Sequence, residues 1–163
     1  MTTKVRNVVV VALLAAGLGL TGCGSDSKTV KTADGSKVTV KKDGEGLTVK
    51  NDQGEFSVGQ GLPDGFPKDE VPLVDGKVLS ASKGADGTRF VWSVLIQVDS
   101  SVDDAAASAK SKLEGAGFTA GENSMTMGEM SVNEYNSSKY KVSVTVVKND
   151  EGTVVTYAIQ NAG

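Results

Sequence analysis

The chain has 163 residues, one cysteine, no histidine and a formal net charge of −3, a length that suits one domain of ordinary size. The lack of histidine excludes the usual nucleophile–base triads, the commonest general base and the commonest metal ligand. The acidic balance, with lysines scattered through acidic, glycine-rich turns, argues against nucleic acid, whose binders carry a basic stripe.

The first seven residues, MTTKVRN, carry Lys4 and Arg6 and no acid, and Val8 to Leu20 is an unbroken run of apolar and small residues. A spanning helix needs about 20 apolar residues, so this shorter run reads as a secretory signal. It closes on Leu20-Thr21-Gly22-Cys23. These four residues match, position for position, the lipobox of bacterial lipoproteins, which the segment resembles. The resemblance implies removal of residues 1–22 as a signal peptide, a diacylglyceryl thioether on Cys23, and often an acyl chain on the new amino terminus. It further implies a protein tethered to the extracytoplasmic face of the cell membrane. Two or three chains at about 0.8 kcal/mol per buried methylene make release very slow. Cleavage removes two cations and no acid, taking the net charge from −3 to −5. Acylation uses the only thiol, so no disulfide can form.

Residues 23–28 read as a lipidated tether, and a weak repeat follows over 29–61: Thr29-Val30-Lys31, Thr39-Val40-Lys41, Thr48-Val49-Lys50 and Ser57-Val58. Turn-forming ADGS, KDGEG and NDQG lie between these triplets. Val38 and Val40, Leu47 and Val49, and Phe56 and Val58 alternate with Thr, Ser or Lys, the period of half-buried strands. A small β-meander with one apolar face is expected, which must pack on something because short strands bury little alone. A flexible polar stalk is the alternative.

All three prolines, Pro63, Pro67 and Pro72, fall in residues 62–76. Proline excludes regular helix and ladder pairing and stiffens the residue before it, so this segment is expected to be a surface strap, tacked down by Leu62, Phe66 and Val71. It resembles the LPxxFPxDVP-like linker of uncharacterised secreted lipoproteins of actinobacteria and their relatives, a resemblance that implies no activity.

Residues 77–163 are the best patterned. Lys77 to Ser82 reads as a strand, Gly84 to Gly87 as a turn, and Thr88 to Val98 as a long strand with Phe90, Trp92, Val94 and Ile96 on one face. Val91 and Leu95 make its other face partly apolar, so a central strand covered on both sides is expected, by a helix and by the N-terminal meander. Ser101 and Asp104 mark a helix start; Val102, Ala106, Ala109, Leu113 and Ala116 form its apolar face, and Gly117 its stop. Phe118 onward is extended and polar, and a hairpin of Lys139–Lys148 and Thr153–Gln160 closes the chain. The expected class is α+β: an N-terminal β-meander, then one helix packed on an antiparallel sheet in the order β-β-α-β-β-β.

The strongest chemical cluster is Met125, Met127 and Met130, the only methionines beyond Met1. Thioethers select Cu(I), and the stretch resembles in composition the methionine motifs of extracytoplasmic copper proteins. The plainer reading is that they fill gaps over the sheet. Asp34, Asp43, Asp64, Asp75 and Asp86 each precede glycine, as turn formation requires, and none fits a calcium loop. Asn136-Ser137-Ser138 matches a sequon and reads as a polar loop. No serine sits in a Gly-x-Ser-x-Gly setting, and Asp103 and Asp104 are explained by the helix dipole. Trp92 is expected in the core, and Tyr135, in the polar stretch SVNEYNSS, is expected to be accessible. A non-catalytic binding or scaffold domain is therefore expected, with no cofactor beyond the covalent lipid and no resident metal. Its partners would be the membrane and a cell-envelope component or protein. A Met-rich Cu(I)-binding envelope protein is the alternative.

Overall fold

The computed structural model describes residues 26–31, 37–43, 46–51, 54–59, 61–84 and 91–162. Cys23, the signal peptide, Asp34, Asp86, Phe90 and most of the meander's turns lie outside these residues. Four strands come first, β1 (Asp26–Lys31), β2 (Lys37–Asp43), β3 (Gly46–Asn51) and β4 (Gly54–Val58). β5 (Lys77–Gly84) and β6 (Trp92–Val98) follow the proline segment, then the helix α1 (Val102–Gly115). β7 (Thr119–Met127), β8 (Met130–Asn136), β9 (Tyr140–Asn149) and β10 (Gly152–Asn161) complete the chain.

All ten strands form one antiparallel sheet in the order β1-β2-β3-β4-β5-β6-β10-β9-β8-β7. The α+β class is as expected, with two corrections. Four strands follow the helix, not three, because the polar stretch after Phe118 is itself a hairpin, β7–β8. The meander does not stack on β6. It extends the sheet sideways, β4 pairing with β5 from Val58↔Ser80 to Gly54↔Gly84. Its first strand begins at Asp26, inside the residues read as tether.

One sheet face carries the core. Trp92, Val94, Ile96 and Val98 of β6, Val142, Val144 and Val146 of β9, and Val155, Tyr157 and Ile159 of β10 alternate inward, as period-two patterning dictates. The helix packs over β7 to β10, burying Val102, Ala105, Ala109 and Leu113. The buried stripe thus runs through Ala105; Ala106 is half-buried and Ala116 exposed, contrary to the face expected. Ser101 caps its start: the Asp104 amide donates to Ser101 Oγ at 3.1 Å, and that hydroxyl donates to the Asp104 carboxylate at 2.7 Å. Gly117, at φ 86°, closes it in a Schellman arrangement, with Gly117 N donating to Glu114 O and Phe118 N to Leu113 O, both at 3.0 Å.

The proline segment covers the rest of this face, anchored at intervals across the strands. Lys50 of β3 pairs with Asp64, Phe66 meets Trp92 edge-on at 6.1 Å, and the Val74 amide donates to the Tyr157 hydroxyl at 3.1 Å. Glu70 pairs with Lys139 at 2.8 Å and Asp75 with Lys112 of the helix at 3.0 Å. Phe66 and Val71 are buried and Leu62 partly so, as expected; Val74 adds a fourth tack.

Candidate functional site

Helix and strap occupy one face, and among the described residues no element covers the other face of the sheet. The register shows what lies on it. Met127 stands opposite Met130, Met130 opposite Val147, and Val147 opposite Val154. One rung further in, Met125 stands opposite Val132. Directly opposed residues share a face, as do residues two apart on a strand. All three methionines therefore project on the open side at the tip of the β7–β8 hairpin, Met125 49% and Met127 62% exposed and Met130 half-buried. The two-residue connection Gly128-Glu129 has its glycine at φ 55° in the first central position, the chemistry of a tight type II′ hairpin. The hairpin thus places Met127 and Met130 directly across from one another.

A second apolar patch lies toward the opposite edge of the same face. Val40 is opposite Val49, Val49 opposite Phe56, and Leu47 opposite Val58. Leu47, Phe56 and Val58 are 41%, 47% and 41% exposed. The alternation that predicted one apolar face for the meander is present, but among the described residues nothing packs on that face. Between the patches the rung through the middle of the sheet is small and polar: Ser82, Ser93, Ala158 and Ser143 oppose one another in turn. Leu95 and Val91 of the central region are half-buried, so the outer face of β6 has no covering layer of the kind expected.

Several titratable groups are engaged structurally. Asp64 and Asp75, two of the acidic turn residues, are held by Lys50 and Lys112. Lys50 also holds Glu55 at 3.1 Å, and its hydrogen bond to Asp64 raises its pKa while lowering that of Asp64. Among the described residues no three His, Cys, Asp or Glu side chains converge on a metal position. A cavity of about 550 Å³ opens at the helix N-terminus between the β7–β8 and β9–β10 turns. Its carboxylates Asp99, Asp103 and Glu129 have one cation among them, Lys148, 3.7 Å from Glu129.

Tyr135 is not accessible. It points under the helix with 2% of its surface exposed, and burial, with Glu114 nearby, pushes its hydroxyl pKa up. Its polar neighbours alternate away from it or are themselves covered, as Ser131 is. Trp92 is in the core as expected, between Phe66 and Tyr140, with its indole Nε1 buried and without a hydrogen-bond partner among the described residues. Asn136 of the sequon ends β8, and its carbonyl accepts from Thr119 Oγ1.

No described helix is long and apolar enough to cross a membrane. No protein-family profile, curated protein or solved structure matches this chain.

Proposed function

We propose that the chain is a lipid-anchored extracytoplasmic lipoprotein whose domain binds or scaffolds and does not catalyse. The observation that carries this reading is Leu20-Thr21-Gly22-Cys23 at the end of a short apolar run behind two cations. The anchor sits three residues before the first strand, and Asp104, Asp64, Asp75 and Glu70 are taken up in a helix cap and ion pairs, which supports a binding role over a catalytic one. The protein or envelope partner would meet the open sheet face. Cys23→Ala tests the anchor: the variant should accumulate as unprocessed precursor or be shed, and should lose incorporation of a labelled fatty acid. Normal membrane retention of unlabelled variant would overturn the proposal.

The hairpin favours a second reading, a Cu(I) site. Met127 and Met130 are cross-strand partners and Met125 lies on the same face, a set of thioethers suited to soft Cu(I). A competition titration should then give submicromolar Cu(I) affinity that Met125→Leu with Met127→Leu abolishes, with no change in partner capture. Affinity no tighter than micromolar would retire this reading.

A further inference from the structure

We infer that the open face of β2–β4 docks on the lipid surface in which the chain is anchored, with Leu47, Phe56 and Val58 seated in the headgroup region. The inference rests on the lipoprotein reading and adds an orientation to it. Chain length carries the first step. Asp26 is only three positions beyond Cys23, and at roughly 3.3–3.6 Å per extended residue the start of β1 lies within about 10 Å of the acylated cysteine.

Register carries the second step. Asp26 stands opposite Lys42, Lys42 opposite Leu47, and Leu47 opposite Val58. Leu47 and Val58 therefore sit on the same rung as the strand end nearest the anchor. With strands about 4.8 Å apart, they lie roughly 10 and 14 Å from it across the sheet, and Phe56 is two residues along from Val58. The reverse face at this end is taken by the strap, through Lys50 and Asp64 and through Ser57 Oγ, which donates to Gly61 O. The open face is thus the one a nearby bilayer can reach. Three large apolar side chains that are more than two-fifths exposed, held within this distance of an acyl anchor, gain by entering the headgroup boundary by about 5–10 Å, as interfacial apolar faces do.

The methionine hairpin does not share this contact. Six strand-to-strand steps separate β3 from β8, and a twist of about 20–25° per step turns the two patches well over a right angle apart. A flat surface that meets one leaves the other facing water.

Lipidation of Cys23 leaves the chain without a free thiol, so Phe56→Cys, Val58→Cys and, as the far control, Val147→Cys each offer one spin-labelling site. The lipidated full chain is reconstituted in phosphatidylethanolamine–phosphatidylglycerol vesicles, and collision with a water-soluble nickel chelate is compared with collision with oxygen. Labels at 56 and 58 should be shielded from nickel severalfold relative to 147, and open to oxygen. Equal nickel access at all three, in protein that cosediments with vesicles, would overturn the docking and leave the anchor standing. Chain that is not acylated and does not cosediment would overturn both. Dipolar broadening between labels at 56 would assign the face to a second copy and overturn the lipid surface. Agreement between 56 and 58 guards against a local effect of either substitution.

Discussion

The Tyr157 hydroxyl accepts a hydrogen bond from the Val74 amide, 83 residues earlier in the chain, and both residues are buried. That contact fixes the proline strap to the centre of β10. Burial pushes the Tyr157 pKa up, against the lowering effect of the amide it accepts from, so the group stays neutral. Tyr157→Phe keeps the ring and orphans a buried amide. We expect a loss of about 1–3 kcal/mol in urea unfolding, with cleavage by protease appearing first within residues 62–76. Unchanged stability would mean the amide has another acceptor.

Leu113 is the one large anchor of a helix whose other buried positions are Val102, Ala105 and Ala109. Small neighbours cannot close over a void. Leu113→Ala should therefore cost toward the upper part of the roughly 2–5 kcal/mol range for such truncations, and it should also loosen Phe118, whose amide bonds the Leu113 carbonyl. A loss below that range would show that the helix slides to fill the gap.

Two glycines give opposite expectations. A Cβ on Gly76 would lie 2.4 Å from the Gln97 carbonyl oxygen and 2.7 Å from Ile96 Cγ2, whereas one on Gly115 meets nothing within 4 Å. Gly76→Ala should destabilise by about 1–3 kcal/mol, the ordinary cost of overpacking. Gly115→Ala should be neutral or stabilise by up to about 1 kcal/mol, through helix propensity and the unfolded chain. Thermal unfolding of the pair checks the contrast.

The Lys50–Asp64 pair ties strap to meander at the surface. Lys50 holds the Asp64 pKa below its ordinary 3.8, so the contribution of the pair is complete above 3.8 and is lost as pH falls through the lower, folded value. Lys50 is raised above 10.5, chiefly by Asp64, so its share is complete below 10.5 and is lost on going higher. Asp64 is well exposed, and exposed pairs are weak and screened by salt. Protease access to the strap should rise below pH 3.8 and above 10.5, and high salt at neutral pH should mimic part of the effect. Asp64→Asn should remove the acid limb.

The strands β6, β9 and β10 are legible in the sequence because one face of each is mainly apolar and buried, so alternation survives. β7 is not, since an edge strand of mostly exposed residues, TAGENSMTM, leaves no burial pattern to read. The alanines at 105 and 106 lack the contrast in size that would fix the helix face, so the expected stripe holds at Val102, Ala109 and Leu113 but takes Ala106 in place of Ala105. Alternation also cannot tell sideways pairing from stacking. Val49 and Phe56 announced an apolar face correctly, while the sheet took up the meander through its edge and left that face open. Tyr135 was hidden by its neighbours, because Ser131 and Asn133 line the same covered side and bond each other at 2.8 Å.

An open ladder ends in two edges, and among the described residues they are β1 and β7. An edge strand invites a further strand from another molecule. β7 resists it, since its pairing with β8 slips between Ala120 and Ser124 and a bulged edge is a poor template. β1 has no such break in its register. Were Cys23 acylated as proposed, that edge would face only neighbours able to reach the surface of the same leaflet. Strand exchange, open in three dimensions to a free domain, would become an encounter in a plane. Association along β1 would then depend on the protein's density per area of membrane rather than on its concentration in the surrounding fluid.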